Sequence, residues 1–284
     1  MSALGRARSW LYVPAHREDL VDKALGGAAD AVVLDLEDAV PPAAKDRART
    51  CAAARAGERT WVRINGSGTP WAEADAAALA GSGAAGLRVP KAEDPAAIAA
   101  LAELTGLPLH LLVESARGLE RAFELATCHP LVAGISPGET DLAADLRIRD
   151  RAELGWARAR IVTANRAAGL PSPVASVWTD LADTAGLAAD SAALRDAGFF
   201  GRSVIHPGQI APVHQAFTPG EAEVARARSL LASVGAAGAA AWVDADGRFV
   251  DPAVVAGARW VTELADELLQ HHEPGRAAAG KENP

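Results

Sequence analysis

Acidic and basic side chains recur in this sequence directly after short apolar runs. Glu114 and Asp141 carry the plainest chemistry. Mg2+ prefers oxygen ligands, keeps several waters and is commonly held by one or two carboxylates plus the substrate. Two carboxylates at the ends of adjacent runs fit that pattern. Asp141 also stands before Leu142-Ala-Ala-Asp-Leu146, so it suits a helix N-cap equally well. Glu37 and Asp38 follow a strongly apolar run, where a carboxylate needs a partner or its pKa rises. They serve acid/base work or support of metal-bound waters, or they pair with Arg63 or Lys91. Arg63, inside Val62-Arg-Ile-Asn65, suits bidentate binding of a substrate carboxylate or thioester oxygen, with an ion pair to Glu37 as the alternative. For Lys91 a structural ion pair is expected. His206 is a candidate base, although a lone histidine at a strand end is more often a hydrogen-bonded structural residue. His16 and Arg17 suit contact with a phosphate, or an exposed loop.

The elements that must position these side chains alternate in type. Eight β-rich runs begin at Ser9, Ala31, Trp61, Gly86, Leu109, Leu131, Pro173 and Arg202. Helical patterns lie between and after them, at about 17–27, 42–55, 71–80, 94–104, 117–127, 151–168, 184–197 and 208–216. Pro42 and Pro95 suit a first helical turn, and glycines at 26, 57, 106, 169 and 198 suit helix ends. Strands each followed by a helix imply parallel pairing through right-handed crossovers. The expected fold is α/β, a (βα)8 TIM barrel over 1–217, with an open doubly wound sheet as the alternative. Closure is preferred because of where the polar residues fall. Glu37, Asp38, Arg63, Asn65, Lys91, Glu114, Asp141, Thr179, Asp180 and His206 all lie at or after the C-terminal ends of runs. In such a barrel those ends form the catalytic rim.

Beyond residue 217 the pattern changes. A helix over about 221–234, a small-residue linker (235–241), a hairpin turning at Asp246-Gly247 and a helix over about 252–271 make a C-terminal extension, 218–272. It packs on its own barrel or on a neighbouring subunit. Residues 273–284 read as a disordered tail.

Composition narrows the function classes. The formal net charge is −8 with scattered basic residues, which argues against a nucleic-acid surface. No apolar run approaches the roughly 20 residues of a membrane span, and the N-terminus lacks the apolar core of a secretory signal, so a cytoplasmic protein is expected. The two cysteines, Cys51 and Cys128, have no metal-binding spacing and read as reduced thiols. Gly134-Ile-Ser-Pro-Gly138 fits neither a Walker A nor a GxGxxG pattern, and there is no nucleophile elbow.

Several separated motifs together resemble the citrate lyase β-subunit-like family of acyl-CoA ester lyases, the relatives of malyl-CoA and citramalyl-CoA lyases. They are Arg8-Ser-x-Leu-Tyr-Val-Pro14, Leu34-Asp-Leu-Glu-Asp-Ala-Val40 followed by Lys45, Val62-Arg-Ile-Asn65, Val89-Pro-Lys91, Val113-Glu-Ser-Ala-Arg-Gly118, Gly138-Glu-Thr-Asp-Leu142, the stretch from Gly198 to Ile210, and Gly247-Arg-Phe-Val-Asp251. The resemblance implies a (βα)8 barrel with a C-terminal extension, an oligomer that is often a trimer, a CoA thioester substrate and a Mg2+ cofactor. Carried over by motif, Glu114 and Asp141 look like metal ligands, with Glu114 also at the substrate, and Arg63 like a substrate-binding and catalytic arginine. Asp251 looks like an aspartate that enters a neighbouring subunit's site in related lyases. Glu37 and Asp38 join the catalytic set. The implied reaction is cleavage of a 3-hydroxyacyl-CoA to an acyl-CoA and a 2-oxo acid. Alternatives are a citryl-carrier lyase β subunit working with partner subunits, a thioesterase on the same CoA esters, and a non-catalytic metabolite-binding subunit. This chain departs from the family where Gly-Ala-Glu-Asp is common and it reads Gly138-Glu-Thr-Asp141, moving one carboxylate by a residue. It departs again at Pro14-Ala-His-Arg17, where a glycine commonly follows the proline.

Overall fold

Seven short strands form one parallel sheet in the order β6-β5-β4-β3-β2-β1-β7. The computed structural model describes residues 4–237, 241–244 and 246–271. The strands are β1 (Ser9–Pro14), β2 (Ala31–Asp35), β3 (Thr60–Arg63), β4 (Gly86–Val89), β5 (Leu109–Val113), β6 (Val132–Pro137) and β7 (Arg202–Val204). β2 and β5 are buried at every residue. That explains their largely apolar character, broken only by Asp35 and His110, because a parallel sheet covered on both faces offers no solvent side for polar residues. Trp10, Val33 and Trp61 are core neighbours, and the two indole centroids lie 5.2 Å apart. Gly86 is required by this packing, since a Cβ there would lie 2.5 Å from Pro108 O and collide with the Trp61 ring.

Helices follow the strands: α1 (Glu18–Leu25), α2 (Lys45–Ala54), α3 (Ala72–Leu79), α4 (Pro95–Thr105), α5 (Ala116–Glu120), α6 (Ala122–Thr127), α7 (Glu139–Asp145), α8 (Gly155–Ala167), α9 (Thr184–Asp196) and α10 (Ile210–Phe217). Local signals account for their ends. Asp94 caps α4 by accepting from Ala96 N–H, Pro95 opens it, and Gly106 closes it in the left-handed conformation at φ 62°. Asp183 caps α9 through Gly186 N–H. The region expected as one helix at 117–127 is divided into α5 and α6 at Arg121.

The seventh expected run differs from its forecast. Residues 173–178 form no strand; Ala175 makes a single parallel bridge to Arg202. Ala175 N–H donates to Gly201 O, and Ala175 O accepts from Ser203 N–H, each at 2.9 Å. On the β6 side the segment is held by side chains: Val174 N–H donates to Ser136 Oγ at 2.8 Å, and Ser176 Oγ donates to Pro137 O at 2.7 Å. Pro171 and Pro173 lack the N–H groups a ladder needs, so serine hydroxyls substitute for ladder bonds between β6 and β7.

The chain divides into two compact units, 1–217 and 218–284. In the second, α11 (Glu221–Ala237) precedes a small antiparallel hairpin of β8 (Trp242–Val243) and β9 (Phe249–Val250), followed by α12 (Pro252–His271). The first residues of the expected linker, 235–237, thus continue α11. Gly247 at φ 79° makes the turn. The tail expected at 273–284 lies outside the described residues. No helix among the described residues is long and apolar enough to cross a membrane.

Candidate active site

Parallel register places the site's charges side by side. Asp35 closes β2 and Arg63 closes β3, and the two are paired in the ladder. Arg63 grips Asp35 with both arms of its fork: Nε to Oδ1 and Nη2 to Oδ2, each 2.7 Å. Asp35 is 1% exposed and also accepts from the N–H groups of Glu37 and Ala39. The remaining Nη1 of Arg63 lies 3.1 Å from Glu37 Oε2 and 3.4 Å from the exposed Asp38. Hydrogen bonds and nearby acids raise the Arg63 pKa although burial opposes them. Its guanidinium also lies over the Tyr12 ring, 5.1 Å from the centroid.

Glu37 is buried. Lys91 Nζ meets its Oε1 at 2.8 Å, which is the ion pair expected of Lys91. Burial raises the Glu37 pKa, while Arg63 and Lys91 pull it back. The Glu37 backbone is fixed separately. The buried Lys45 ammonium donates to Leu36 O, Glu37 O and Asn65 Oδ1 at 2.6, 2.8 and 2.6 Å. Asn65 is in turn held by Asp75 at 2.6 Å.

Glu114 follows β5 directly and is buried. Its Oε2 accepts the Lys91 N–H at 2.9 Å; Lys91 adopts φ 52°, rare for a side-chain-bearing residue. A Cβ on Gly138 would lie 2.6 Å from Glu114 Oε1, so the glycine before α7 makes the space this carboxylate occupies. Burial pushes the Glu114 pKa up to about 7, with the Glu37 and Asp141 carboxylates adding to the rise and the Lys91 N–H opposing it.

Asp141 does not cap α7: Gly138 takes that position, and Asp141 sits in the first turn, exposed. The cap alternative is therefore not realised, and its charge is felt at Glu114. These are hard oxygen donors, and Gly138 makes the room that the buried Glu114 carboxylate occupies beside α7. That donor chemistry fits Mg2+ held by two carboxylates and waters. Among the described residues no group of three or more His, Cys, Asp or Glu side chains is arranged for a metal, so waters or substrate would complete a shell begun by two carboxylates.

The remaining candidates have local roles. His206 Nδ1 accepts from Gly208 N–H at 3.0 Å, capping a short 3-10 turn, as a structural histidine would. Asp180 closes a turn through Ala182 and Asp183 N–H. Arg17 pairs with Asp19 in the open. Asp251, in the second unit, accepts from Val254 N–H at 2.9 Å and so caps α12. Cys51 and Cys128 are free thiols, and burial raises both.

Some site residues escaped the sequence reading. Asp35 was the lone acid inside an apolar run, a signal that gains meaning once β2 and β3 are set in register. Lys45 stood in a motif without a role. Arg88 is 1% exposed, stacks 5.1 Å from the Trp10 centroid and 5.4 Å from the Tyr12 centroid, and donates to Ser203 Oγ at 3.2 Å. A pocket of about 620 Å³ borders Tyr12. Its wall includes Leu20, Lys23, Ile205, His206 and His214.

A parallel α/β sheet with carboxylates and a clamped arginine at its strand ends has relatives. Residues 8–207 match the HpcH/HpaI aldolase/citrate lyase family, and the chain belongs to that family. It is 38% identical over 236 residues to a (3S)-malyl-CoA thioesterase of Cereibacter sphaeroides, covering 80% of this chain and 82% of that one. It is 32% identical to citrate lyase subunit beta of Leuconostoc mesenteroides subsp. cremoris, covering 91% and 93%. The crystal structure of the Mycobacterium tuberculosis protein CitE in complex with magnesium, acetoacetate and coenzyme A superposes with a TM-score of 0.80 at 34% identity, covering 92% of this chain and 98% of that one.

Proposed function

We propose that the protein is a Mg2+-dependent carbon–carbon lyase that cleaves a 3-hydroxyacyl-CoA of the malyl-CoA or citramalyl-CoA type into an acyl-CoA and a 2-oxo acid. The observation that carries this reading is the buried Glu114 carboxylate, held by the Lys91 N–H and accommodated by Gly138 three residues before Asp141, with Arg63 clamped by Asp35 at the ends of β2 and β3. Glu114 and Asp141 would hold Mg2+. When bound, Mg2+ supplies Lewis-acid charge that makes the substrate hydroxyl more acidic. Glu37, whose proton affinity burial raises, takes the hydroxyl proton. The C3–O bond becomes a carbonyl, and the C2–C3 electron pair passes to the thioester as an enolate. Arg63 offsets the charge that develops. Asp251, from a neighbouring copy, returns a proton to C2.

The architecture in this reading is a closed (βα)8 barrel with 173–178 as its eighth stave and 218–272 as an extension reaching a neighbour in a cytoplasmic homotrimer. The pocket beside Tyr12 is mostly apolar with Lys23 at its edge, which suits a long neutral thioester arm ending in phosphates.

The thioesterase among the relatives favours a second reading, hydrolysis of the same CoA ester. The test is product analysis with malyl-CoA and citramalyl-CoA in Mg2+. The lyase reading expects a 2-oxo acid with the thioester of the released acyl-CoA intact. Free thiol without any oxo acid would establish hydrolysis instead. The citrate lyase subunit suggests a carrier-bound substrate, which turnover of free CoA esters would make unnecessary.

A further inference from the structure

Glu139 is an acid of the Gly138–Asp141 turn that lies away from solvent. It is 2% exposed and opens α7 two residues before Asp141. Its Oε1 accepts from Arg158 Nε at 2.8 Å; its Oε2 accepts from Arg158 Nη2 at 2.8 Å and Arg151 Nη2 at 2.7 Å. The Glu139 N–H donates to Ser176 Oγ at 3.2 Å, and Arg151 reaches Val177 O at 3.4 Å. Glu139 thus ties the first turn of α7 to the helical stretch 151–167 through its carboxylate, and to the segment 173–178 through its N–H.

The proposed reaction has no use for this group, since both oxygens are already bound to arginines. A charge so buried is retained at a desolvation cost, and its position suggests what it secures. α7 has seven residues and no side-chain cap at Gly138, and a helix this short has little stability of its own. The Asp141 side chain makes no hydrogen bond or ion pair among the described residues, so the turn that carries it sets where its Cα–Cβ bond points. We propose that Glu139, clamped by Arg151 and Arg158, is the positioning residue for Asp141, fixing the first turn of α7 so that Asp141 can join Glu114 on a divalent cation. This rests on the metal reading above. It also gives a role to the acid at 139, one place earlier than in the related pattern.

The test is direct Mn2+ binding to the full chain, read from loss of the free-ion EPR signal, with the thermal midpoint of every variant measured alongside. Groups bonded directly to metal ligands typically contribute roughly 10–100-fold in affinity; Glu139→Gln, which acts through the turn and does not touch Asp141, is expected to weaken Mn2+ binding by about 10-fold, the low end of that range. Arg151→Met, which removes a half-exposed partner, should weaken it by a smaller factor with the thermal midpoint close to wild type. Arg151→Met alone decides the matter if Glu139→Gln does not fold. Folded variants that bind Mn2+ as tightly as wild type, while Asp141→Asn does not, would overturn the positioning role and leave the metal reading intact. A wild-type protein that binds no Mn2+, or an Asp141→Asn variant that binds it undiminished, would remove the metal reading itself.

Discussion

Arg63 places a permanent cation among Asp35, Glu37 and Asp38, and the geometry divides its labour. One edge of the guanidinium is committed to Asp35, and Nη1 is left toward Glu37 and the open rim. Breaking a buried pair by removing one partner costs about 3–5 kcal/mol, so Arg63→Met should lower unfolding free energy by that order in urea titrations. Arg63→Lys, which cannot form the fork, should lose part of it; no change in either variant would mean the clamp contributes nothing to the fold. Lys91 is half-exposed, so its side chain adds about 0–1 kcal/mol to stability. Its hydrogen bond nevertheless lowers the Glu37 pKa. Lys91→Met should therefore move the acid limb of the kcat–pH profile upward with little change in thermal midpoint, and an unmoved limb would remove Glu37 from the base role. Glu37, Arg63 and Glu114 were legible in the sequence because each follows an apolar run. Asp35 and Lys45 were not, because an acid inside β2 or a lysine opening α2 acquires its meaning from partners on other elements.

Helices with strong caps, such as α4 and α9, fall where composition and capping residues place them. The 173–178 segment and α7 do not, for opposite reasons. The segment has strand-like residues, but Pro173 removes the ladder donor at its start, and on the β6 side it is held through Ser136 and Ser176. α7 starts on Gly138, three residues before the Asp141 cap that the sequence offers, and its first turn is held where Glu139 binds Arg151 and Arg158. At the other end of the sheet, Arg8 opens toward β1 and binds Asp30, which precedes β2, at 2.9 Å. Burial acts to raise the Asp30 pKa, but the Arg8 hydrogen bond and nearby cations bring it below the usual value. A carboxylate depressed in this way stabilises the fold above its unfolded pKa of about 3.9 and loses that contribution as pH falls through the folded value. Asp30→Asn should thus be less stable than wild type at neutral pH, with the gap closing as pH falls below about 4. A gap that stays constant with pH would show that the pair contributes by packing alone.

The two units pose different questions. The first holds every proposed residue except Asp251, and its family is legible from motifs spread along the chain. Asp251 was reached by motif resemblance, and its cap on α12 is a structural duty that the motif did not reveal. If it also acts in a neighbouring copy, Asp251→Ala and Glu114→Gln, each inactive, should regain part of the wild-type rate when unfolded together and refolded as mixed oligomers. Mixtures that stay inactive would place its action within its own chain or outside catalysis. The central claim is that Glu114 and Asp141 make the chain a Mg2+-dependent lyase. It is tested most directly by following 2-oxo acid release from malyl-CoA or citramalyl-CoA as Mg2+ is returned to metal-stripped wild type and Glu114→Gln. The account predicts that Mg2+ restores oxo acid formation to wild type and not to the variant. Full restoration of both, or oxo acid release from stripped protein without Mg2+, would contradict it.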